Sequence, residues 1–193
     1  MKPIWVKKGD TFFTHSHSWL GRLIRWGETD PGETPAWTNH TGVVVESGYI
    51  GLGTPQAVVI EALWTARRGP LKLNGVEVRV FRPVPIYDWA EVYNFEVEAN
   101  TYVGDRYGWW KLGAQLADRL LFRGRKVIST CLFIKNRPIC SFLAAWVNEK
   151  ARPQGTPVGL DTWPGFGVLP QAADPDTMMK YCESHPEFWR EIR

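Results

Sequence analysis

The sequence predicts an α+β fold, in which a small antiparallel β-sheet of roughly four to six strands packs against helices. Three observations support this prediction. Short runs rich in β-branched residues occupy the first half of the chain, at 41–46, 57–63 and 76–81. Two longer segments with helical character, 109–123 and Cys140–Lys150, follow in the second half. The 193 residues, of which 44% are hydrophobic, suffice for one domain with its own core.

Local signals predict the elements of the first half in chain order. Residues 8–13 predict a turn that leads into a short strand, and residues 18–26 predict a helix because their apolar residues recur at helical spacing. Ser18 can cap the start of that helix. The Gly-, Pro- and acid-rich stretch 27–35 predicts a loop. Of the three strands that follow, 76–81 alternates apolar and polar residues most clearly.

The second half is predicted to be mainly helical. Residues 88–102 fit both helical and strand spacing, and their length favours a helix. Residues 109–123 predict a helix that ends at Gly124. Cys140–Lys150 is apolar almost all round, which indicates a buried helix, and Pro138 precedes its start. We therefore expect a single domain over 1–193, in which 151–193 is a loop-rich C-terminal extension with a short helix over 176–182.

Composition and charge restrict the function classes. The net charge of +3, without a basic stripe interleaved with aromatic residues, argues against nucleic-acid binding. We see no signal peptide and no membrane-spanning run, so we expect a cytoplasmic protein without stable membrane insertion; delivery by a phage particle or by lysis is compatible with this. Three widely spaced cysteines do not suggest a disulfide framework. The eleven tryptophans fit either a substrate groove or ordinary packing.

Cys140 is the best candidate for a nucleophile. It lies at the predicted start of a buried helix, where free backbone N–H groups and the helix dipole lower a thiol pKa. The same N–H groups can stabilise an oxyanion. The alternative is a small apolar cysteine at the start of a core helix. Cys131 competes for the role, but it lies in an extended apolar segment that is typical of core.

His40 and Glu61 are the candidates for the base and the group that orients it. His40 opens a predicted strand, and Gly42 leaves room beside it on the same face. Glu61 ends an apolar strand, where an unpaired carboxylate is costly to bury. If the two strands pair antiparallel with Glu61 opposite His40, the carboxylate can hold the imidazole tautomer. A structural histidine and an exposed strand-end acid are the alternatives.

Five short segments in this order resemble the circularly permuted branch of the NlpC-type papain-like cysteine hydrolases, particularly the YiiX-like group. They are residues 8–10, 38–45, 59–62, 104–108 and 140–143. The resemblance implies a papain-like fold, with Cys140 as nucleophile, His40 as base and Glu61 as the orienting residue. It also implies that Tyr107 lies near the active site. One departure is Phe142, which stands where the family often has a glutamate.

The resemblance implies a peptidase or amidase that cleaves an amide bond through a thioester intermediate, with cell-wall peptides as the expected substrates. We expect Tyr107, Trp37 and Ser141 to bind the substrate, and we expect neither a metal nor an organic cofactor. The pair His15 and His17 lacks further ligands at metal-binding spacing. A lipid acyl hydrolase or acyltransferase related to lecithin–retinol acyltransferase, and a non-catalytic binding module, remain alternatives. The oligomeric state stays open.

Overall fold

The computed structural model describes residues 3–29, 34–51, 53–73, 75–84, 89–121, 128, 139–151, 165–168, 170 and 173–193. The elements in chain order are β1 (Ile4–Val6), β2 (Thr11–His15), α1 (Trp19–Glu28), β3 (His40–Glu46), β4 (Gly48–Ile50), β5 (Val58–Ala62), β6 (Ala66–Pro70), β7 (Glu77–Pro83), α2 (Trp89–Thr101), α3 (Trp109–Leu121), α4 (Cys140–Lys150), α5 (Pro175–Ser184) and β8 (Trp189–Ile192).

A six-stranded sheet forms the centre of the molecule, with strand order β6-β5-β3-β2-β7-β8. Every pair of neighbouring strands in it is antiparallel. β1 and β4 form a separate two-stranded antiparallel sheet. The prediction of a mixed fold, with an antiparallel sheet and a few helices, is therefore confirmed.

The two faces of the large sheet belong to two different hydrophobic clusters. Because side chains alternate along a strand, Val43 and Val45 of β3 point to one face and Val44 to the other. Val43 and Val45 pack in the larger cluster with residues of α2, α4 and α5. Val44 packs with residues of the β1–β4 sheet in the smaller cluster. The helix that carries Cys140 is thus buried against one face of the sheet beside β3.

The predicted helices and the four predicted strands, β2, β3, β5 and β7, are present, with ends shifted by a few residues. Ser18 caps α1, since its side chain accepts a hydrogen bond from the Gly21 N–H at 3.1 Å. The predicted buried helix is α4, and the ambiguous segment forms α2. The proposed helix stop at Gly124, Pro138 and the competing cysteine Cys131 lie outside the described residues.

Four short strands were not predicted. β6 has the sequence Ala-Arg-Arg-Gly-Pro, which carries no strand pattern, and within the sheet it pairs with β5. β8 lies in the segment predicted to be loop-rich, and it extends the sheet by pairing with β7. The other two, β1 and β4, have three residues each and pair with one another, and Tyr49 of β4 also bridges to Gln56. Local periodicity does not reveal these strands, because β1, β4 and β8 pair with strands distant in sequence and β6 has no strand pattern.

The C-terminal segment contributes to the core. Phe166 is 2% exposed and stacks on Trp189 of β8, with ring centroids 4.8 Å apart. Phe166 is thus buried by packing against β8, whereas residues 163 and 164 lie outside the described part. Within the described ranges, no helix combines the length and the apolar character needed to cross a bilayer.

Candidate active site

Cys140 is the first residue of α4 and is only 4% exposed. The residue before it, Ile139, occupies the N-cap position and has no side-chain hydrogen bond to the helix. A Ser or Asp at that position would bond to the free N–H groups of the first turn. Because isoleucine cannot do so, no side chain at the N-cap competes with the cysteine sulfur for these donors.

The surroundings of Cys140 favour the thiolate. Burial alone would raise the pKa of the thiol, but the hydrogen bond and charge of His40 lower it below its ordinary value. The backbone N–H groups of Thr41 and Ser141 add to this lowering by hydrogen bonding to the sulfur. One donor belongs to β3 and the other to α4. The packing of α4 against β3 is therefore what assembles the thiolate site.

His40 lies between the thiol and a buried carboxylate. Its Nε2 is 2.8 Å from Oε2 of Glu61, and its ring is also hydrogen-bonded to Cys140. Since Nε2 is taken by the carboxylate, Nδ1 is the nitrogen left for the sulfur. Burial alone would lower the pKa of His40, but Cys140 and Glu61 together raise it to about 10. A raised histidine pKa beside a lowered cysteine pKa describes a thiolate–imidazolium ion pair.

The strand register differs from the one that the sequence suggested. β3 and β5 are antiparallel, as expected, but Glu61 lies opposite Gly42 and not opposite His40. His40 and Gly42 share one face of β3 because they are two residues apart. Glu61 therefore reaches His40 as its diagonal neighbour across the strand pair. The contact between His40 and Glu61 is present, although the direct pairing on which it was made conditional is replaced by a diagonal one.

Gly42 makes this diagonal contact sterically possible. A Cβ at this position would lie 2.6 Å from Cζ of Phe12 and 2.7 Å from the carbonyl oxygen of Ile60. Phe12 lies opposite Gly42 on β2, is fully buried, and also contacts the His40 ring edge-to-face at 6.2 Å. The space left by the glycine is thus filled by an aromatic ring that packs against the imidazole.

Arg67 is a site residue that the sequence analysis missed. It lies directly opposite Glu61 in the β5–β6 pair. Its Nε donates to Oε1 of Glu61 at 2.9 Å, and its Nη2 donates to the same oxygen. Burial alone would raise the pKa of Glu61, but His40 and then Arg67 lower it below its ordinary value. Because β6 has no strand pattern, no local signal could have identified this arginine.

A cleft of about 240 Å³ opens beside the histidine–carboxylate pair. His40, Glu61 and Arg67 line it, whereas Cys140 is not among the described lining residues. The other walls are mainly apolar and come from α1, the β5–β6 turn and the start of α3. They include Leu20, Ile24, Leu63, Trp64, Leu71 and Trp109. His40 therefore contacts the Cys140 thiol and also lines a cleft whose walls are mainly apolar.

The three predicted substrate-binding residues lie in different surroundings. Tyr107 lines the cleft and packs against Trp109, with ring centroids 4.8 Å apart. Trp37 is not among the described lining residues, and its backbone N–H donates to Asp176 at 2.9 Å. Ser141 is fully buried, and its hydroxyl donates to the Ala173 carbonyl at 2.8 Å. Of these three side chains, only that of Tyr107 is brought to the cleft.

His15 and His17 do not form a metal-binding group with other described side chains. The two rings contact each other at 4.6 Å, and Nδ1 of His15 lies 2.5 Å from the Trp37 carbonyl oxygen. Among the described residues, no group of three or more His, Cys, Asp and Glu side chains is placed to hold a metal ion.

Comparisons with known proteins give a likeness among solved structures. No protein-family model matches the chain. No curated protein matches it either. Among solved structures, it is similar to the crystal structure of the metalloprotein YiiX (DUF1105) from Escherichia coli O157:H7. The sequence identity is 18%, the TM-score is 0.49, and the alignment covers 93% of this chain and 82% of that one.

Proposed function

We propose that this protein is a cysteine hydrolase with Cys140 as nucleophile, His40 as general acid–base and Glu61 as the residue that orients the imidazole. The observation that carries the proposal is the position of His40, hydrogen-bonded to the thiol on one side and to a buried carboxylate on the other. A nucleophile, a base and an orienting group in contact are the parts that acyl transfer through cysteine needs. The chain order histidine, glutamate, cysteine is the order expected for a permuted papain-like enzyme.

The reaction follows from the charge state of the pair. The Cys140 thiolate attacks the carbonyl carbon, and the carbonyl electrons move to oxygen. Backbone N–H groups at the start of α4 are the available donors for that oxyanion. The tetrahedral adduct collapses as the imidazolium donates its proton to the leaving group, which leaves a thioester on Cys140. His40 then takes a proton from water, and the hydroxide attacks the thioester and releases the acid and the thiolate.

We propose an amide bond as the scissile bond, with cell-wall peptides as the substrate class that the family resemblance implies. The cleft supports a substrate that presents an apolar group near His40, since most of its described walls are apolar. The same lining supports a second candidate, an ester or amide of a fatty acid. In both cases Arg67 and Lys72 supply positive charge at the cleft.

Trapping of the thioester tests the proposal. The protein is incubated with a p-nitrophenyl acyl ester and with acylated peptide amides, quenched in acid and analysed by peptide mass spectrometry. We expect an acyl adduct on Cys140 and release of product, and we expect Cys140→Ala to abolish both. Cys182→Ala is the matched control, because Cys182 is equally buried and its thiol pKa is raised by burial. Hydrolysis that persists in Cys140→Ala would exclude the proposed nucleophile.

A further inference from the structure

Most of the large exposed hydrophobic side chains among the described residues lie on three elements that adjoin one another. In the described part of the chain, ten large hydrophobic side chains are exposed, and seven of them lie on α1, α3 and the β5–β6 turn. The seven are Trp19, Trp26, Leu63, Trp64, Trp110, Leu120 and Leu121. We call this surface the aromatic rim. Single exposed apolar residues are ordinary, but a group of this size on adjoining elements indicates a contact surface.

The three elements of the aromatic rim adjoin one another. α1 and α3 are in contact, since a Cβ at Gly27 would lie 2.9 Å from the Leu116 side chain. The β5–β6 turn meets the start of α3, where the rings of Trp64 and Trp109 are 4.8 Å apart. Side chains from all three elements line the cleft. The aromatic rim therefore lies on three adjoining elements; on α1 its tryptophans lie on the side of the helix opposite to Leu20, Gly21 and Ile24, which line the cleft.

α1 carries an exposed stripe in which an arginine stands between two tryptophans. Trp19, Arg22 and Trp26 are spaced by three and four residues and are all exposed, Trp19 by 76%. On α3, Trp110 and Leu121 share one side of the helix and are exposed by 69% and 71%. Tryptophan and arginine on one exposed helical stripe are typical of helices that lie in a lipid–water interface.

The charge of the aromatic rim is basic. Arg22 is exposed on α1, and Arg106 lies beside Trp110 at a second depression next to the cleft. The acidic residue of α3, Asp118, is 2% exposed and so contributes little to the surface. Basic residues among exposed tryptophans complement anionic lipid headgroups.

The composition of the aromatic rim favours a lipid surface over a glycan, since its seven side chains are four tryptophans and three leucines. The leucines of the aromatic rim offer no hydrogen bonds to hydroxyl groups. From these observations we propose that the aromatic rim docks onto the surface of an anionic phospholipid bilayer. This docking goes beyond the proposed hydrolase activity and does not depend on it.

Vesicle co-sedimentation tests the proposal separately from catalysis. The full chain with Cys140→Ala is mixed with vesicles of phosphatidylcholine and phosphatidylglycerol in equal parts, and with pure phosphatidylcholine vesicles. We expect binding to the mixed vesicles. Trp19→Ala and Trp110→Ala are each expected to lower the partition coefficient about tenfold, because an exposed indole ring loses its contact with lipid. Arg22→Gln is expected to lower it about fivefold on mixed vesicles and to leave neutral vesicles unaffected.

Trp5→Ala is the matched control, because Trp5 is 41% exposed but lies on β1, outside the aromatic rim. We expect it to bind vesicles as well as the parent, and circular dichroism verifies that every variant is folded. Absence of vesicle binding by the parent overturns the proposal, and so does unchanged binding by the Trp19 and Trp110 variants. If the protein binds an insoluble wall glycan instead of vesicles, the surface is assigned to the glycan. If it self-associates in light scattering instead, the surface is assigned to a second copy of the chain. Loss of hydrolysis with intact vesicle binding would count only against the proposed function.

Discussion

The substitution Glu61→Gln tests whether the buried carboxylate maintains the Cys140–His40 ion pair. Glu61 is 3% exposed and accepts hydrogen bonds from two donors, His40 on one oxygen and Arg67 on the other. Glutamine has nearly the same shape but only one acceptor oxygen and no charge. It can satisfy one of the two donors and cannot stabilise an imidazolium by charge.

The expected size of the effect follows from this contact. A hydrogen bond to a charged group contributes about 1.5 to 3 kcal/mol, and one pKa unit corresponds to about 1.4 kcal/mol. We therefore expect Glu61→Gln to lower the pKa of His40 from its value of about 10 and to raise the pKa of Cys140, by roughly one to two units for the pair. The protonated thiol then replaces the thiolate over a wider range of acidic pH.

The assay is the second-order rate of iodoacetamide labelling at Cys140, resolved by peptide mass spectrometry and followed against pH. In the native protein the rate should fall only at a pH below the ordinary thiol range, because the Cys140 pKa is lowered. In Glu61→Gln this fall should move to higher pH, so that labelling at mildly acidic pH is slower by about ten- to a hundredfold. At alkaline pH, above both thiol pKa values, the two proteins should react alike.

Cys182 is the internal reference for this measurement, since it is buried and its pKa is raised by burial. It should label slowly and equally in both proteins, and faster labelling of Cys182 in the variant would indicate loss of structure. An unchanged pH profile at Cys140, in a variant that is folded, would refute the reasoning, because the carboxylate would then have no influence on the ion pair.

Two further predictions concern the packing and charge that support the site. Gly42→Ala should destabilise the protein by about 2 kcal/mol, because the new methyl group would collide with the buried ring of Phe12. Gly69→Ala should be almost neutral, because no atom lies within 4 Å of a Cβ at that position. Urea unfolding measures the free energy of unfolding of both variants. Arg82→Ala should destabilise it by about 3 kcal/mol, because the carboxylate of Asp10 is 1% exposed and accepts two hydrogen bonds from Arg82, at 2.8 and 2.7 Å.

The control for the second of these predictions is Arg190→Ala. Arg190 lies opposite Arg82 in the β7–β8 pair but is exposed, and its removal should leave the free energy of unfolding unchanged within about 0.5 kcal/mol. An equal loss of unfolding free energy in Arg82→Ala and Arg190→Ala would contradict the importance of the contact between Arg82 and Asp10. Equal losses in the two glycine variants would contradict the close packing of Phe12 on β3.

Elements with strong local patterns were predictable from the sequence. β3, β5 and β7 carry β-branched runs or alternation, and α4 is a continuous apolar segment, so each was expected within a few residues of its observed bounds. Hydrophobic periodicity records which side of an element is buried, and it is contained in the segment itself. The same holds for Ser18, whose capping role depends only on the residues that follow it.

Cys140, His40 and Glu61 were also identified as candidates from the sequence. They stand at the predicted ends of a helix or a strand, and they lie in the segments that carry the family resemblance. Their contact was conditional on a strand register that the sequence left open. The structure pairs Glu61 with Gly42, and a diagonal contact replaces the expected direct one. Register depends on the whole sheet, including the ring of Phe12 from another strand, and no single segment contains that information.

The sequence by itself determined the class of fold, the main strands and helices, and which residues had the chemistry to act. Only the tertiary structure decided that Arg67 bonds to Glu61, that the last strand completes the sheet, and that α1, α3 and the β5–β6 turn, which carry exposed tryptophans, adjoin one another. The physical reason is the range of the interactions. Helix caps and side-chain periodicity act over a few residues, whereas cross-strand pairs and surface patches join residues that are distant in sequence.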